Sequence, residues 1–343
     1  MKLSEFLDST HIKQPFVAVL GHPVMHSRSP LIHNAAIQEH VISATYYAID
    51  CPRNEIHLIS KLLDSEMFCG ANVTIPLKME IIPFLHSLDE SANEIGAVNT
   101  IVPVYSKLSD DTNHLVKKTV HSSSSSQDNI TSDRKICVGY NTDAYGFYRP
   151  LEEYGYASSV SSAVILGSGG ASRAVRYALF KNGVDKLTLV SRSMSESRKR
   201  SPFAVNDSAK PDRSFAGNEI PRNIFAGIDD HTRWISYDQL DEAVQSAELV
   251  VNTTPIGMYP AVYASPVPEA SLVHLKDKIC YDIIYNPLET KFLRDAKLYG
   301  AKTINGLDMF IYQASAAFEL WFKKSLTVRS TRTILLNKIN TSH

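Results

Sequence analysis

The run ANVTIPLK brings an amide, a hydroxyl and an ammonium close together. The two-residue period of a strand puts Asn72 and Thr74 on one face, with Lys78 just beyond. Asn99 stands in GAVNT and Asp143 in GYNTDAYGF, each beside another strand-like run. A lysine that follows apolar residues is partly desolvated, so its pKa falls unless a carboxylate holds it charged. A lysine and an aspartate sharing one cleft can manage the proton that moves when a hydride leaves a carbinol carbon. The amides and the hydroxyl would hold a polyol. Taken singly, each residue has a plainer reading. Asn72, Thr74 and Asn99 could cap turns, Asp143 could cap a helix, and Lys78 could be solvated.

GHPVMHSRSPLIHNAAI, from Gly21, sets Ser27 and Ser29 two apart at a turn that opens a helix. Ser29 suits the N-cap and Pro30 the first helical position. Ser27 is then left without a structural task.

VILGSGGASRA, Val164–Ala174, reads as a strand that turns through glycines into a helix. Gly167 permits the tight turn, and Gly169 and Gly170 let backbone amides approach a pyrophosphate. Ala171 and Ala174 allow close packing, and the helix N-terminus faces the phosphates. A plain strand-to-helix turn also uses glycine, but this one sits inside a βαβ pattern, where a dinucleotide site requires it. A cofactor with a free ribose would favour an acidic residue at the end of the next strand, LTLVSRS. Ser191, Arg192 and Ser193 stand there instead. A guanidinium with two hydroxyls suits a 2′-phosphate, which points to NADP. Arg198, Lys199 and Arg200 read as loop charges.

Positioning these groups requires alternating strands and helices. FVAVLG, ATYYAID, GANVTIP, AVNTIVPV and KICVGYN read as strands, and PLIHNAAIQEH and EIHLISKLLDSEMF as helices. After Ser162 the alternation restarts with AVILG, ASRAVRYALFKNG and KLTLVSR, and it continues through DQLDEAVQSA, ELVVNTT, KICYDIIY, ETKFLRDAKLYG and AKTING. This favours an α/β architecture of mostly parallel strands in two domains. Residues 1–150 would form the first domain and 151–305 the second. The last helices, 306–343, should return to the first. The segments 106–135, with serines at 122–126, and 194–223 are too polar to bury a face and read as disordered insertions.

A chain of 343 residues with 44% hydrophobic and 21% charged residues can bury a sizeable core. Its net charge of −1 draws it to neither nucleic acid nor an anionic membrane. Cys51, Cys69, Cys137 and Cys280 show no metal-ligand spacing and read as reduced thiols. The start, MKLSEFLDST, carries Glu5 and Asp8 and does not resemble a targeting peptide. A cytoplasmic protein is expected, with small-molecule substrates, no metal, and no nucleic-acid or membrane partner. A homodimer is compatible with the pattern.

Together the motifs SxSPxxHN, NVTxPxK, GAVNT, NTD, GxGGASRA, NTTPxGM, YDxxYNPxxTxFL and GLDMxxxQ resemble, in order, those of the shikimate/quinate dehydrogenase family. The resemblance spans almost the whole chain apart from the two insertions and the extreme ends. It implies an N-terminal α/β substrate domain and a Rossmann-like, doubly wound NAD(P)-binding domain, with the active site between them. It also implies that Ser27 and Ser29 bind the substrate carboxylate, with Tyr285 reaching towards it. Asn72, Thr74, Asn99 and Gln313 would hold ring hydroxyls, and Lys78 and Asp143 would be the catalytic pair. Gly167, Ser168, Gly169, Gly170, Ala171 and Ser172 would form the diphosphate loop. Thr254, Ile283 and Gly306 would line the nicotinamide side, with Met309 near the ring. One departure concerns the cofactor. The family's Asn-Arg-Thr signature is followed, after two residues, by Arg or Lys, where this chain has Glu196. Glu196 would repel a phosphate that it faced, which keeps NAD open.

The expected reaction is reversible NADPH-dependent reduction of 3-dehydroshikimate to shikimate. The alternatives are quinate dehydrogenase using NAD and a non-catalytic ligand-binding regulator. The presence of both Lys78 and Asp143 speaks against the latter.

Overall fold

The computed structural model describes residues 1–106, 134–192 and 231–341. In the first half lie α1 (Leu3–Leu7), β1 (Phe16–Gly21), α2 (Ser29–Glu39), β2 (Thr45–Asp50), α3 (Ile59–Asp64) and β3 (Phe68–Val73). They are followed by β4 (Ser87–Leu88), α4 (Glu90–Ile95), β5 (Thr100–Ser106), β6 (Arg134–Tyr140) and α5 (Asp143–Glu153). The strands form one sheet in the order β2-β1-β3-β5-β6-β4. β1 is buried at every position, as its unbroken apolar run requires of a central parallel strand. β5 departs from the expected parallel pairing and runs antiparallel to both β3 and β6. Ser106 pairs with Arg134 and Tyr105 with Lys135, so both ends of the expected 106–135 insertion belong to a β-ladder. The rest of that insertion, and all of the one expected at 194–223, lie outside the described residues.

The second half carries β7 (Ser162–Leu166), α6 (Gly170–Lys181), β8 (Lys186–Val190), β9 (Thr232–Ile235), α7 (Leu240–Ser246) and β10 (Leu249–Asn252). Then come β11 (Ile279–Asp282), α8 (Lys291–Leu298), β12 (Lys302–Ile304), α9 (Leu307–Phe322) and α10 (Val328–Asn340). The second sheet is parallel throughout, in the order β12-β11-β10-β7-β8-β9. The order reverses between β7 and β10, which makes this a doubly wound, Rossmann-like sheet, the kind in which ligands bind at the point of reversal. β9, TRWI, was not foreseen from the sequence. It is short and half-exposed, so it has little periodicity to read.

α5 joins the halves. Its Ala144, Phe147 and Leu151 share one buried cluster with Ile165, Leu179, Tyr281 and Met309, and burial of a Phe or Leu contributes about 1.5–3 kcal/mol. A Cβ at Gly146 would lie 2.7 Å from the Met309 carbonyl oxygen, so this glycine lets α5 and α9 touch. α9 and α10 also pack against α2, which returns the end of the chain to the first sheet.

α2 begins one residue earlier than its sequence suggests. Ser29 is already helical and Arg28 is the cap residue, with no side-chain cap. Ser27 N–H bonds Val24 O at 2.9 Å, and this turn brings Arg28 O into place for the first helical bonds. Among the described residues no helix is long and apolar enough to cross a membrane.

Candidate active site

Lys78 follows a turn off β3 in which Thr74 N–H bonds Leu20 O at 2.8 Å and Leu77 N–H bonds Thr74 O at 2.9 Å. Its carbonyl accepts from Val98 N–H at 2.8 Å, so its backbone is pinned to the segment entering β5. From there Lys78 Nζ donates to Asp143 Oδ2, with the two side chains only 14% and 8% exposed. Asp143 opens α5, yet its carboxylate does not cap that helix. Its other oxygen, Oδ1, accepts from Asn99 Nδ2 at 2.8 Å. The β5–β6 ladder explains the meeting. Pairing of Thr100 with Tyr140 sets Asn99 beside the Asn141–Asp143 run.

Asn99 is saturated. Its Nδ2 also donates to Thr142 Oγ1 at 3.0 Å, while its Oδ1 accepts from Thr142 N–H at 2.7 Å and from Thr100 Oγ1 at 3.0 Å. An amide offers two donors and two acceptor positions, and all four are engaged. Asn72, on β3, continues the chain of contacts: its Nδ2 donates to Asn99 O and to Thr100 Oγ1, both at 3.3 Å. Asn72 Oδ1 accepts from the Tyr46 hydroxyl at 2.7 Å, and the Ser29 side chain neighbours the same phenol. Ser29 N–H in turn donates to Ser27 Oγ at 3.2 Å, so Ser27 also holds the start of α2. Tyr46, Asn72, Asn99, Asp143 and Lys78 thus form one connected polar path, with the Ser27–Ser29 turn beside its Tyr46 end.

Thr74 packs its methyl against Gly21, where a Cβ would come within 2.3 Å of it. Tyr285, past the end of β11, stacks on Phe310 at 4.4 Å and neighbours Arg28, which brings it to the Ser27–Ser29 turn. Burial pushes the phenols of Tyr46 and Tyr285 up. Gln313 Nε2 donates to Phe310 O at 2.9 Å within its own helix.

In the second sheet, Gly167 has φ +107°, and a Cβ there would sit 2.9 Å from Thr253 Oγ1. The turn after β7 therefore lies against the end of β10, at the strand-order reversal. Gly169 is exposed and has open space where a Cβ would stand, and α6 begins at Gly170. Bare backbone leading into a helix N-terminus fits a pyrophosphate. Ala171 is half-buried, and Ser172 is buried with its Oγ donating to Gly169 O at 2.7 Å, so this hydroxyl braces the loop. Ser168 and Ser191 hydroxyls lie 3.1 Å apart.

Arg192 is exposed at the end of β8 and lines a cavity of about 550 Å³ with Ser236, Tyr237, Asp238, Ile256 and Ser265. Ser193 and Glu196 lie outside the described residues. Thr254 is held by Asn252, whose Oδ1 accepts from its N–H at 3.0 Å and its Oγ1 at 2.7 Å. Asn252 Nδ2 donates to Asp282 Oδ1 at 3.1 Å, and burial pushes the Asp282 carboxyl up to about 6. Ile283 and Gly306 meet so closely that a Cβ on Gly306 would overlap the Ile283 carbonyl. Met309 is buried in the cluster shared with Phe147. The sequence reading missed Tyr46, Thr142 and the walls of the Arg192 cavity. Thr142 had a signal, since NTD stands among the motifs; Tyr46 had only its place in a strand.

Residues 19–101 match the family described as the shikimate dehydrogenase substrate binding domain. The shikimate dehydrogenase (NADP(+)) of Moorella thermoacetica is 38% identical over 305 residues, covering 89% of this chain and 87% of the relative. A solved shikimate dehydrogenase in complex with NADP+ superposes with a TM-score of 0.71 at 29% identity, covering 95% of this chain and 96% of the other. The quinate dehydrogenase of Corynebacterium glutamicum, solved with NAD, gives a TM-score of 0.69 at 26% identity, covering 94% and 99%. With its ordered motifs, its doubly wound second sheet and these relatives, the chain belongs to the shikimate dehydrogenase family.

Proposed function

We propose that the protein is an NADP-dependent shikimate dehydrogenase, reducing 3-dehydroshikimate to shikimate reversibly. The observation that carries this reading is the buried Lys78–Asp143 pair, joined through Asn99 to Asn72 and Tyr46, beside Ser29. The relatives named shikimate dehydrogenase (NADP(+)) favour this reading over quinate oxidation with NAD.

Residues 1–150 and 306–343 form the substrate unit in this reading, and 151–305 form the dinucleotide unit. Ser27 and Ser29 bind the carboxylate with Tyr285 beside them, while Asn72, Thr74 and Gln313 bind ring hydroxyls. Asn99, expected to hold a ring hydroxyl, has all four of its amide positions engaged within the protein and in this reading instead holds Asp143 Oδ1. The bare turn of Gly167, Ser168, Gly169, Gly170, Ala171 and Ser172 fits the diphosphate, and Ser191 and Arg192 fit the 2′-phosphate. Thr254, Ile283, Gly306 and Met309 form the nicotinamide side. NADP, when bound, supplies or accepts the hydride.

Lys78 Nζ gives its proton to the alkoxide oxygen during reduction and takes one from the hydroxyl during oxidation. Asp143 Oδ2 keeps the ammonium aimed, because Asn99 fixes the carboxylate from its other side. The reading places the enzyme in the cytoplasm, and sedimentation velocity separates a monomer from a homodimer.

The two candidate substrates differ by one hydroxyl and a ring double bond. Measuring kcat/KM for shikimate and for quinate, each with NADP+ and NAD+, tests the assignment. It predicts the highest value for shikimate with NADP+. A highest value for quinate with NAD+ would overturn it.

A further inference from the structure

Tyr46 takes no part in the mechanism above, yet its hydroxyl bonds Asn72 and has Ser29 as a neighbour. It lies on β2 and is 2% exposed. Its ring stacks on His33 with centroids 4.4 Å apart and planes 6° apart, and Trp321 packs at 6.1 Å. Both ring nitrogens of His33 are buried without a hydrogen-bond partner, so this imidazole serves as a flat packing surface. Trp321 is locked by its own bond to Ile101 O at 2.9 Å. A phenol whose ring cannot move has a fixed oxygen.

That oxygen is 2.7 Å from Asn72 Oδ1, and the Ser29 side chain is its neighbour. A phenol has one proton to donate and lone pairs with which to accept. With Asn72 Nδ2 committed to Asn99 O and Thr100 Oγ1, the amide presents its oxygen to Tyr46. The polarity is therefore set as Tyr46 O–H to Asn72 Oδ1, which leaves the lone pairs of the phenol on the side of the neighbouring Ser29 hydroxyl. We infer that Tyr46 is a positioning residue that orients Ser29 and Asn72 together, fixing the separation between the carboxylate site and a ring-hydroxyl site. A bound carboxylate draws the Ser29 proton to itself, since a charge-assisted bond is roughly twice as strong as a neutral one. Tyr46 still donates to Asn72, so the hydroxyl site keeps its shape. The ligand class selected is a ring bearing a carboxylate and a hydroxyl at a set spacing.

This inference rests on the proposed roles of Ser29 and Asn72. Tyr46→Phe removes one oxygen and keeps the stack. It should raise KM for shikimate about tenfold to hundredfold, the cost of orphaning buried polar groups, with kcat within about threefold and KM for NADP+ unchanged. Ser29→Ala should raise the same KM, and the double variant should raise it by less than the product of the two. A Tyr46→Phe enzyme that unfolds at lower temperature but keeps its KM for shikimate, while Ser29→Ala loses affinity, would overturn the inference alone. A wild-type enzyme that does not turn over shikimate would overturn the proposed function and this inference with it. If Tyr46→Phe does not fold, Ser29→Ala and Asn72→Ala carry the test. Coupled effects on KM support a shared positioning group, and effects that simply multiply contradict it.

Discussion

The stem of Lys78 lies across the bare backbone of Gly170. A Cβ built on that glycine would come within 3.3 Å of Lys78 Cδ and 3.4 Å of Lys78 Cβ. The loop that suits a pyrophosphate therefore also forms part of the bed for the proposed proton donor. Absence of a side chain at Gly170 serves both sheets at once.

Gly170→Ala should consequently displace Lys78 by a few tenths of an ångström. Misplacement on that scale is expected to lower kcat about tenfold, with KM for shikimate changed far less. Steady-state kinetics check this, and an unchanged kcat would mean that the contact positions nothing.

Asn99→Ala leaves Asp143 Oδ1, Thr142 N–H and Thr100 Oγ1 without their shared partner. The variant should lose about 1–3 kcal/mol of stability and, because Asp143 is freed to swing, at least tenfold in kcat. Urea unfolding together with kinetics measures both. Full activity in a destabilised variant would reduce Asn99 to scaffold.

Arg192 stands exposed beside the 550 Å³ cavity. Arg192→Asp should lower kcat/KM for NADP+ roughly a hundredfold, the scale of a lost charge-assisted bond plus an added repulsion, and should raise it for NAD+. Equal losses for both cofactors would show that the 2′-phosphate is held elsewhere.

Burial pushes the His33 imidazole down to about 3 from 6.5. Between those values only the unfolded chain binds this proton, so stability falls as pH drops from about 6.5, by about 1.4 kcal/mol per pH unit. Asp282 acts oppositely. Its carboxyl, raised to about 6 from 3.8, takes up a proton more readily in the folded chain and favours it as pH falls through 6. His33→Phe keeps an aromatic stack and removes only the first effect. Urea unfolding at pH 7, 6, 5 and 4 should show the variant losing less stability towards acid than the wild type, and parallel curves would contradict this.

What the sequence discloses divides along physical lines. FVAVLG and AVILG are readable as strands because continuous burial demands continuous apolar runs, and Gly167 because the turn after β7 needs a positive φ. Lys78, Asn99 and Asp143 could be named as candidates from their flanking strands. Their junction could not, because it depends on β5 folding back antiparallel on β3 and β6. Capping preference alone misplaces the start of α2, because the local Val24–Ser27 turn carries the chain into the helix at Ser29 with no side-chain cap. Tyr46 reads as an ordinary core aromatic until β3 and α2 bring Asn72 and Ser29 to its hydroxyl. The cavity beside Arg192 is walled by residues 236–268, far along the chain, which no local pattern connects to LTLVSRS.

Lys78→Ala tests the account at its centre. With saturating NADP+ and shikimate, kcat should fall by about two to four orders of magnitude, the scale of a positioned acid–base group, while KM for shikimate changes severalfold at most. A variant that retains kcat within about tenfold of wild type would contradict the assignment of the proton to Lys78.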